Sequence, residues 1–382
     1  MEPVLQSKLE PAHDHPEATT EDYAATLDGL THGPDEEPKG LDIHTPAHQG
    51  VNHSWLQRFI PGVEKVAAGY HLGNYVTTRG PDAVKVWETM PIYVRIGMQA
   101  LYHGREQAKL LGTQRVQELF KEQSIKQGIA FDSPVNALPH IQSFVRTYQI
   151  DTGALLEPDL TKYTTFNEFF YRKLKPDARP LASPEDPNVI SSGADCRLAV
   201  FEAVDAAKEF WIKGEHFTIP SLLADDELAK QFENGALAVF RLAPADYHRF
   251  HSPVTATVGA TRRVEGTYYT VNPVCVNEPS IDVFTQNKRD VTVLSVPRAG
   301  GSTVPVAYVQ VGAMLVGSIV RTVDEGKEVK RGEELGYFAY GGSTIIAVFP
   351  PGLVQFDADL LENSKGAIET IVRAGEQIGR FV

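Results

Sequence analysis

Beyond Pro180 the chain breaks into short runs rich in β-branched and aromatic residues: "RLAVFEAV", "ALAVFRLA", "ATVGATRRVEGTYYTV", "DVTVLSVP", "TVPVAYVQVG", "SIVRTV" and "TIIAVF". Gly, Pro, Asn and Asp part them, the pattern of strands in a sandwich or barrel-like core. Ahead of them, from Trp55 to about Ile150, "YVRIGMQALYHG" and "RVQELFKEQSI" place apolar residues three and four apart, a helical period. A further helix is expected from Thr165 in "TFNEFFYRKL", where an N-cap Thr and Glu168 form a capping box, and it should end before Pro176. Residues 1–52 are rich in Glu, Asp, His, Pro and Thr, a composition that cannot repay its ordering entropy. The expected fold class is therefore α+β, with three regions. These are a disordered acidic tail (1–52), a helical region (53–180) and a β-rich core (181–382).

A hydrophobic content of 42% over 382 residues is ample for a sizeable core. The formal net charge of −13 opposes a broad grip on nucleic acid, which is not expected as a partner. Two cysteines, Cys196 and Cys275, are too few for a disulfide framework or a zinc ribbon and fit a reducing compartment. The longest apolar stretch, residues 306–320, is too short to cross a bilayer, and the first residues lack the basic and apolar regions of a signal peptide. The expected location is cytoplasmic, with peripheral membrane contact.

Several stretches carry chemistry. "RLAPADYHRFHSPV" sets His248 and His251 three apart, so they share a face in a helix or turn and oppose each other in a strand. Such a pair serves as zinc ligands, as separate acid and base, or as ordinary hydrogen-bonded histidines. "ISSGADCRLAVF" holds Asp195 in a small-residue loop before a strand. Asp195, His248 and His251 together would leave an open position on zinc, so a zinc hydrolase is one reading. In "GYFAYGGSTIIAVFPPG", Gly341-Gly342-Ser343-Thr344 separates two strand-like runs and reads, by itself, as a turn. "VDEGKEVKRGEELGYF" resembles the hammerhead turn of lipoyl- and biotinyl-carrier folds, but no lysine stands at the tip for modification.

Taken in order, "FNEFFYRKLKPDARPL", "SSGADCRL", "FWIKGEHFTIPSLL", "FRLAPADYHRFHSPV", "GTYYTVNP", "VGAMLVGSI" and "GGST" resemble the phosphatidylserine decarboxylase family, in wording closest to its fungal-type members. These are pyruvoyl-dependent lyases that cut themselves at a Gly-Ser bond. The resemblance implies that Gly342-Ser343 is the scissile bond and that Ser343 becomes the covalent pyruvoyl cofactor. It also implies that His251 activates Ser343 while Asp195 orients His251, and that His248 reprotonates the substrate carbon. Thr344 would help position the loop. The implied substrate is phosphatidylserine, and the in-class alternative is a free aromatic amino acid such as tryptophan. The partners are that substrate, the cleaved small chain 343–382, a membrane surface met through residues such as Trp55, Leu56, Phe59 and Ile60, and a second copy in a homodimer. Two departures stand out: Cys196 follows the aspartate where the bacterial form has Gly, and the anchor or lipid-binding module of many members is not recognisable.

Overall fold

Valine, isoleucine, threonine and aromatic residues stiffen the backbone into extended segments, and in the computed structural model these segments gather into one large sheet and two small ones. The structure describes residues 75–87, 121, 125, 128–210, 212, 217–269, 271, 276, 282–313, 318–339 and 343–382. The first part holds β1 (Tyr75–Thr77), β2 (Lys85–Trp87), α1 (Ala137–Tyr148), α2 (Phe166–Phe170), β3 (Val189–Ser191) and β4 (Cys196–Phe201). Next come α3 (Val204–Phe210), α4 (Ile219–Leu223), α5 (Asp226–Ala229), β5 (Ala236–Leu242), β6 (Arg249–His251) and β7 (Ala256–Val264). They are followed by α6 (Val283–Gln286), β8 (Arg289–Pro297), β9 (Thr303–Val311), β10 (Ile319–Arg321), β11 (Glu328–Val329) and β12 (Glu334–Phe338). The last are β13 (Ser343–Phe349), β14 (Val354–Phe356), α7 (Ala358–Lys365), β15 (Glu369–Val372) and β16 (Gln377–Phe381).

The large sheet has ten strands in the order β11-β7-β8-β9-β13-β5-β4-β15-β1-β2, antiparallel except where β1 meets β15. Strands β10-β12-β6 and β14-β16-β3 form two three-stranded sheets. Both faces of the large sheet are covered, so its central strands are apolar on both sides. Along β13, Ile346 and Val348 enter one core cluster, with Phe217, Leu222 and Phe284. Ile345, Ala347 and Phe349 enter the other, with Phe250 and Phe338 of the small sheet. That split follows from the two-residue period of a strand.

The α+β class is what the sequence pattern implies. Three local expectations change. Within the region read as helical, β1 and β2 extend the edge of the large sheet. The helix at Thr165 is only Phe166–Phe170, because Leu174 is already in a bridge with Leu155. Its N-terminus is capped: Thr165 Oγ1 accepts from Glu168 N at 3.1 Å, and Glu168 Oε2 accepts from Thr164 N at 2.6 Å, one residue before the N-cap nitrogen of a standard capping box. Ser343 and Thr344 are the first two residues of β13 and not part of a turn. The acidic tail, Trp55, Leu56, Phe59, Ile60, Cys275, Gly341 and Gly342 lie outside the described residues. Among the described residues no helix is long and apolar enough to cross a membrane.

Candidate active site

Strands β4, β5 and β13 start or stop at one end of the large sheet, and the candidate residues collect there. Ser343 opposes Leu242, the last residue of β5, and Thr344 lies between Arg241 and Val311. Both hydroxyl residues are fully buried, and neither Ser343 Oγ nor Thr344 Oγ1 has a hydrogen-bond partner among the described residues. A buried hydroxyl left without a partner costs about 1–3 kcal/mol, so a native fold keeps few of them.

Just past Leu242, "APAD" makes a turn with Pro244 at its second position, the place where a fixed φ favours it. Asp246 N donates to Ala243 O at 2.9 Å, and Ala243 N donates back to Asp246 Oδ2 at 2.7 Å. The same carboxylate pairs with Arg197; burial pushes its pKa above the ordinary value, and Arg197 opposes that shift. The Asp246 carbonyl lies 2.9 Å from His248 Nδ1 and accepts from Arg172 Nη2 at 3.2 Å. Burial pulls the Arg172 guanidinium down to about 10. The Phe170 ring covers fully buried His248 at 4.0 Å between centroids, and Phe338 N donates to the His248 carbonyl, tying it to β12.

His248 immediately precedes β6, and His251 ends it, so no helical face joins them. His251 Nδ1 is 2.9 Å from Gly332 O, and Nε2 is 3.0 Å from Tyr247 Oη. A carbonyl only accepts, so Nδ1 carries the proton and, in the neutral ring, Nε2 accepts the phenol O–H. Burial lowers the His251 pKa below its usual 6.5, while the Gly332 bond and the charges of Glu334 and Asp195 oppose that shift. Gly332 has φ +85°, a left-handed conformation that glycine adopts freely, and its carbonyl occupies the place a triad acid would take.

Asp195 lies close by, because His251 N donates to Gly193 O at 2.7 Å. Glycine is required at 193: a Cβ there would sit 2.2 Å from Tyr308 Oη and 2.6 Å from His251 O. The Asp195 carboxylate is itself taken up by Arg179 Nε at 2.8 and 3.0 Å, by Arg179 Nη2, and by Ala374 N at 2.9 Å. The structure therefore brings Asp195 and His251 to one end of the sheet without a hydrogen bond between them. Cys196 opens β4 as a buried thiol whose pKa is raised mainly by burial, and the strand accommodates it without a break.

The zinc reading does not hold. Asp195 is committed to Arg179, the Tyr247 hydroxyl sits on His251 Nε2, and among the described residues no three His, Cys, Asp or Glu side chains are grouped to hold a metal. Arg172, Arg179, Asp246, Tyr247 and Gly332 are the site residues to which sequence reading gave no role. Four of them sit inside the "FYRKLKPDARP" and "RLAPADYHRFH" stretches, which were the available signal, and Gly332 sits in the carrier-like "KRGEELG".

The chain matches the family described as phosphatidylserine decarboxylase over residues 166–380. It is 44% identical over 295 residues to phosphatidylserine decarboxylase proenzyme 3 of Schizosaccharomyces pombe, a match covering 77% of this chain and 30% of the relative. Proenzyme 2 of Oryza sativa is 44% identical over 286 residues, covering 74% of this chain and 45% of the relative. The proenzyme of Chlamydia trachomatis serovar D is 42% identical over 240 residues, covering 63% of this chain and 77% of the relative. The chain thus spans less than half the length of the fungal and plant relatives it matches. The relatives are named for phosphatidylserine, and nothing in them favours a free amino acid.

Proposed function

Because the chain belongs to the phosphatidylserine decarboxylase family, we propose that it is a proenzyme that cuts itself between Gly342 and Ser343 and then converts phosphatidylserine to phosphatidylethanolamine and carbon dioxide. The observation that carries this reading is the buried Ser343 hydroxyl, without a partner among the described residues, at the first position of a central strand. Ser343 Oγ attacks the Gly342 carbonyl, the amide becomes an ester, and β-elimination frees Gly342 as a carboxylate. The dehydroalanine left at 343 takes up one water and releases ammonia. His251 is the base, since its lowered pKa keeps the ring neutral near pH 7. Asp195 supports it by charge rather than by contact, as the Arg179 pairing requires.

The residues present fit the resulting pyruvoyl group. Position 343 is fully buried, and the ladders on both sides of β13 hold the new chain end in place after the cut. Bound there, the group supplies a conjugated carbonyl that accepts the electrons of the breaking Cα–carboxylate bond. His248, held through Nδ1, presents Nε2, which in the imidazolium form carries the proton that is returned to Cα.

Two finer readings belong with this one. The 323–338 segment acts as a carrier-like hammerhead turn put to another use: Gly326 and Gly332 both have positive φ, and the turn delivers the Gly332 carbonyl to His251. Peripheral docking to a bilayer runs through residues 55–130, a reading supported by exposed Ile125 and Ile129, 52% and 69% accessible and four residues apart. The test is incubation with phosphatidylserine vesicles while carbon dioxide and phosphatidylethanolamine are measured. Conversion by the wild-type chain and none by Ser343→Ala is expected; turnover of free tryptophan with none of the lipid would refute the substrate.

A further inference from the structure

Arg172 is a buried cation whose hydrogen bonds, among the described residues, all end on backbone. Nη1 donates to Phe170 O at 3.2 Å, and Nη2 donates to Ala245 O at 2.9 Å and to Asp246 O at 3.2 Å. The side chain lies over the Phe169 ring, and the residue is only 4% exposed. The carboxylates whose charge it feels most, Asp195 and Asp246, pair with Arg179 and Arg197 instead. Burying a charge without its own counter-ion is costly, so what this one fixes matters. It fixes the seat of His248. The Asp246 carbonyl that takes Arg172 Nη2 is also 2.9 Å from His248 Nδ1, and Phe170, whose carbonyl takes Nη1, covers the imidazole with its ring at 4.0 Å. A carbonyl only accepts, so Nδ1 carries a proton. The guanidinium thus ties the turn before β6 to the end of α2, with the His248 ring held between them. A planar fork spans such acceptors, whereas a lysine ammonium is a point charge.

We infer that Arg172 is a positioning residue for proton return: by holding Asp246 O and Phe170 together it fixes the direction in which His248 presents Nε2, and so the face of the substrate Cα that receives the proton. The inference rests on the reading of His248 as the proton donor. In the step, the electron pair left by the departing carboxylate takes the proton from His248 Nε2. That N–H bond breaks, the Cα–H bond forms, and the ring returns to neutral with its remaining proton on Nδ1. A ring fixed in this way delivers to one face of Cα; a ring free to turn, or solvent in its place, delivers to both.

The test uses the full chain. Turnover of phosphatidylserine vesicles in heavy water puts one deuterium on the product carbon that bears nitrogen, which makes that carbon a stereocentre. The wild type is expected to give a single stereoisomer. Arg172→Lys, which keeps the charge and loses the fork, should give a mixture, and Arg172→Gln is the second variant with the same expectation. A readout independent of turnover is nitrogen NMR of the uncut Ser343→Ala chain, where the neutral His248 ring should carry a slowly exchanging proton on Nδ1. Adding Arg172→Lys should abolish that protection. A single stereoisomer from the Arg172 variants, or an undiminished ring-proton protection, would mark Arg172 as merely structural and overturn the inference, whatever the urea midpoint does. A neutral His248 protonated on Nε2 in the chain with Arg172 intact would overturn it without any Arg172 variant. His248→Ala should give the mixture in the turnover it retains; a single stereoisomer from it, or a mixture from the wild type, would sink the reading of His248 as donor instead.

Discussion

Replacing Glu369 by Gln should loosen the grip on the small chain more than any other single change in β15. Arg197 and Arg241 face each other across β4 and β5, a like-charge pairing that is unfavourable in a sheet. Each is neutralised separately, Arg197 by Asp246 and Arg241 by Glu369. Arg241 and Glu369 are 7% and 2% exposed at the side chain, and Arg241 Nε reaches the carboxylate at 2.9 and 3.1 Å. Removing one member of a buried pair costs about 3–5 kcal/mol, because the other charge loses its buried counter-charge. The oxygen that Gln retains keeps a neutral hydrogen bond of about 1 kcal/mol. The expected loss is therefore about 3 kcal/mol, roughly a hundredfold in the folding equilibrium. The assay is urea denaturation of Glu369→Gln in a Ser343→Ala background, where the chain stays whole. Arg241→Met with Glu369→Leu should cost less than Glu369→Gln alone, since the buried guanidinium is removed together with its carboxylate. A loss below about 1 kcal/mol for Glu369→Gln, or a double variant worse than the single, would refute the reasoning.

The histidines should separate by step: His251→Ala and Asp195→Asn leave the precursor uncut, whereas His248→Ala permits the cut and lowers carbon dioxide release, which a gel and a gas assay on the same samples decide. Self-cleavage should also depend on pH with a known sign. Burial lowers His251 from 6.5, so the ring is neutral and competent above that value, and the rate falls only as pH drops through a midpoint below it. A midpoint above 6.5 in a cleavage time course would contradict the burial argument.

The strands were legible because their composition is local. "RLAVFEAV", "ALAVFRLA" and "TIIAVF" became β4, β5 and β13 with small shifts of boundary. The insertion of β13 between β5 and β9 was not, since it joins segments far apart in the chain and depends on how two covered faces pack. The site shows the same division. The candidate residues Asp195, His248, His251 and Ser343 carry their chemistry in the side chain, and the family resemblance singled them out in the sequence. Their partners could not: Gly332 acts through a backbone carbonyl, and Arg179 meets Asp195 from 16 residues away in the chain. Periodicity also overran the helix at Thr165, where the bridge between Leu155 and Leu174 ends it early.

The central claim is that Ser343 is the nucleophile of a self-cut, and intact-mass measurement of the expressed chain tests it most directly. The account predicts two associated chains, 1–342 and 343–382, the smaller of 40 residues and beginning with a pyruvoyl group. Strands β13, β15 and β16 would keep it in the sheets without a disulfide. Ser343→Ala should give one chain of full length. A folded wild-type preparation consisting of a single chain with an intact Ser343 hydroxyl would contradict it.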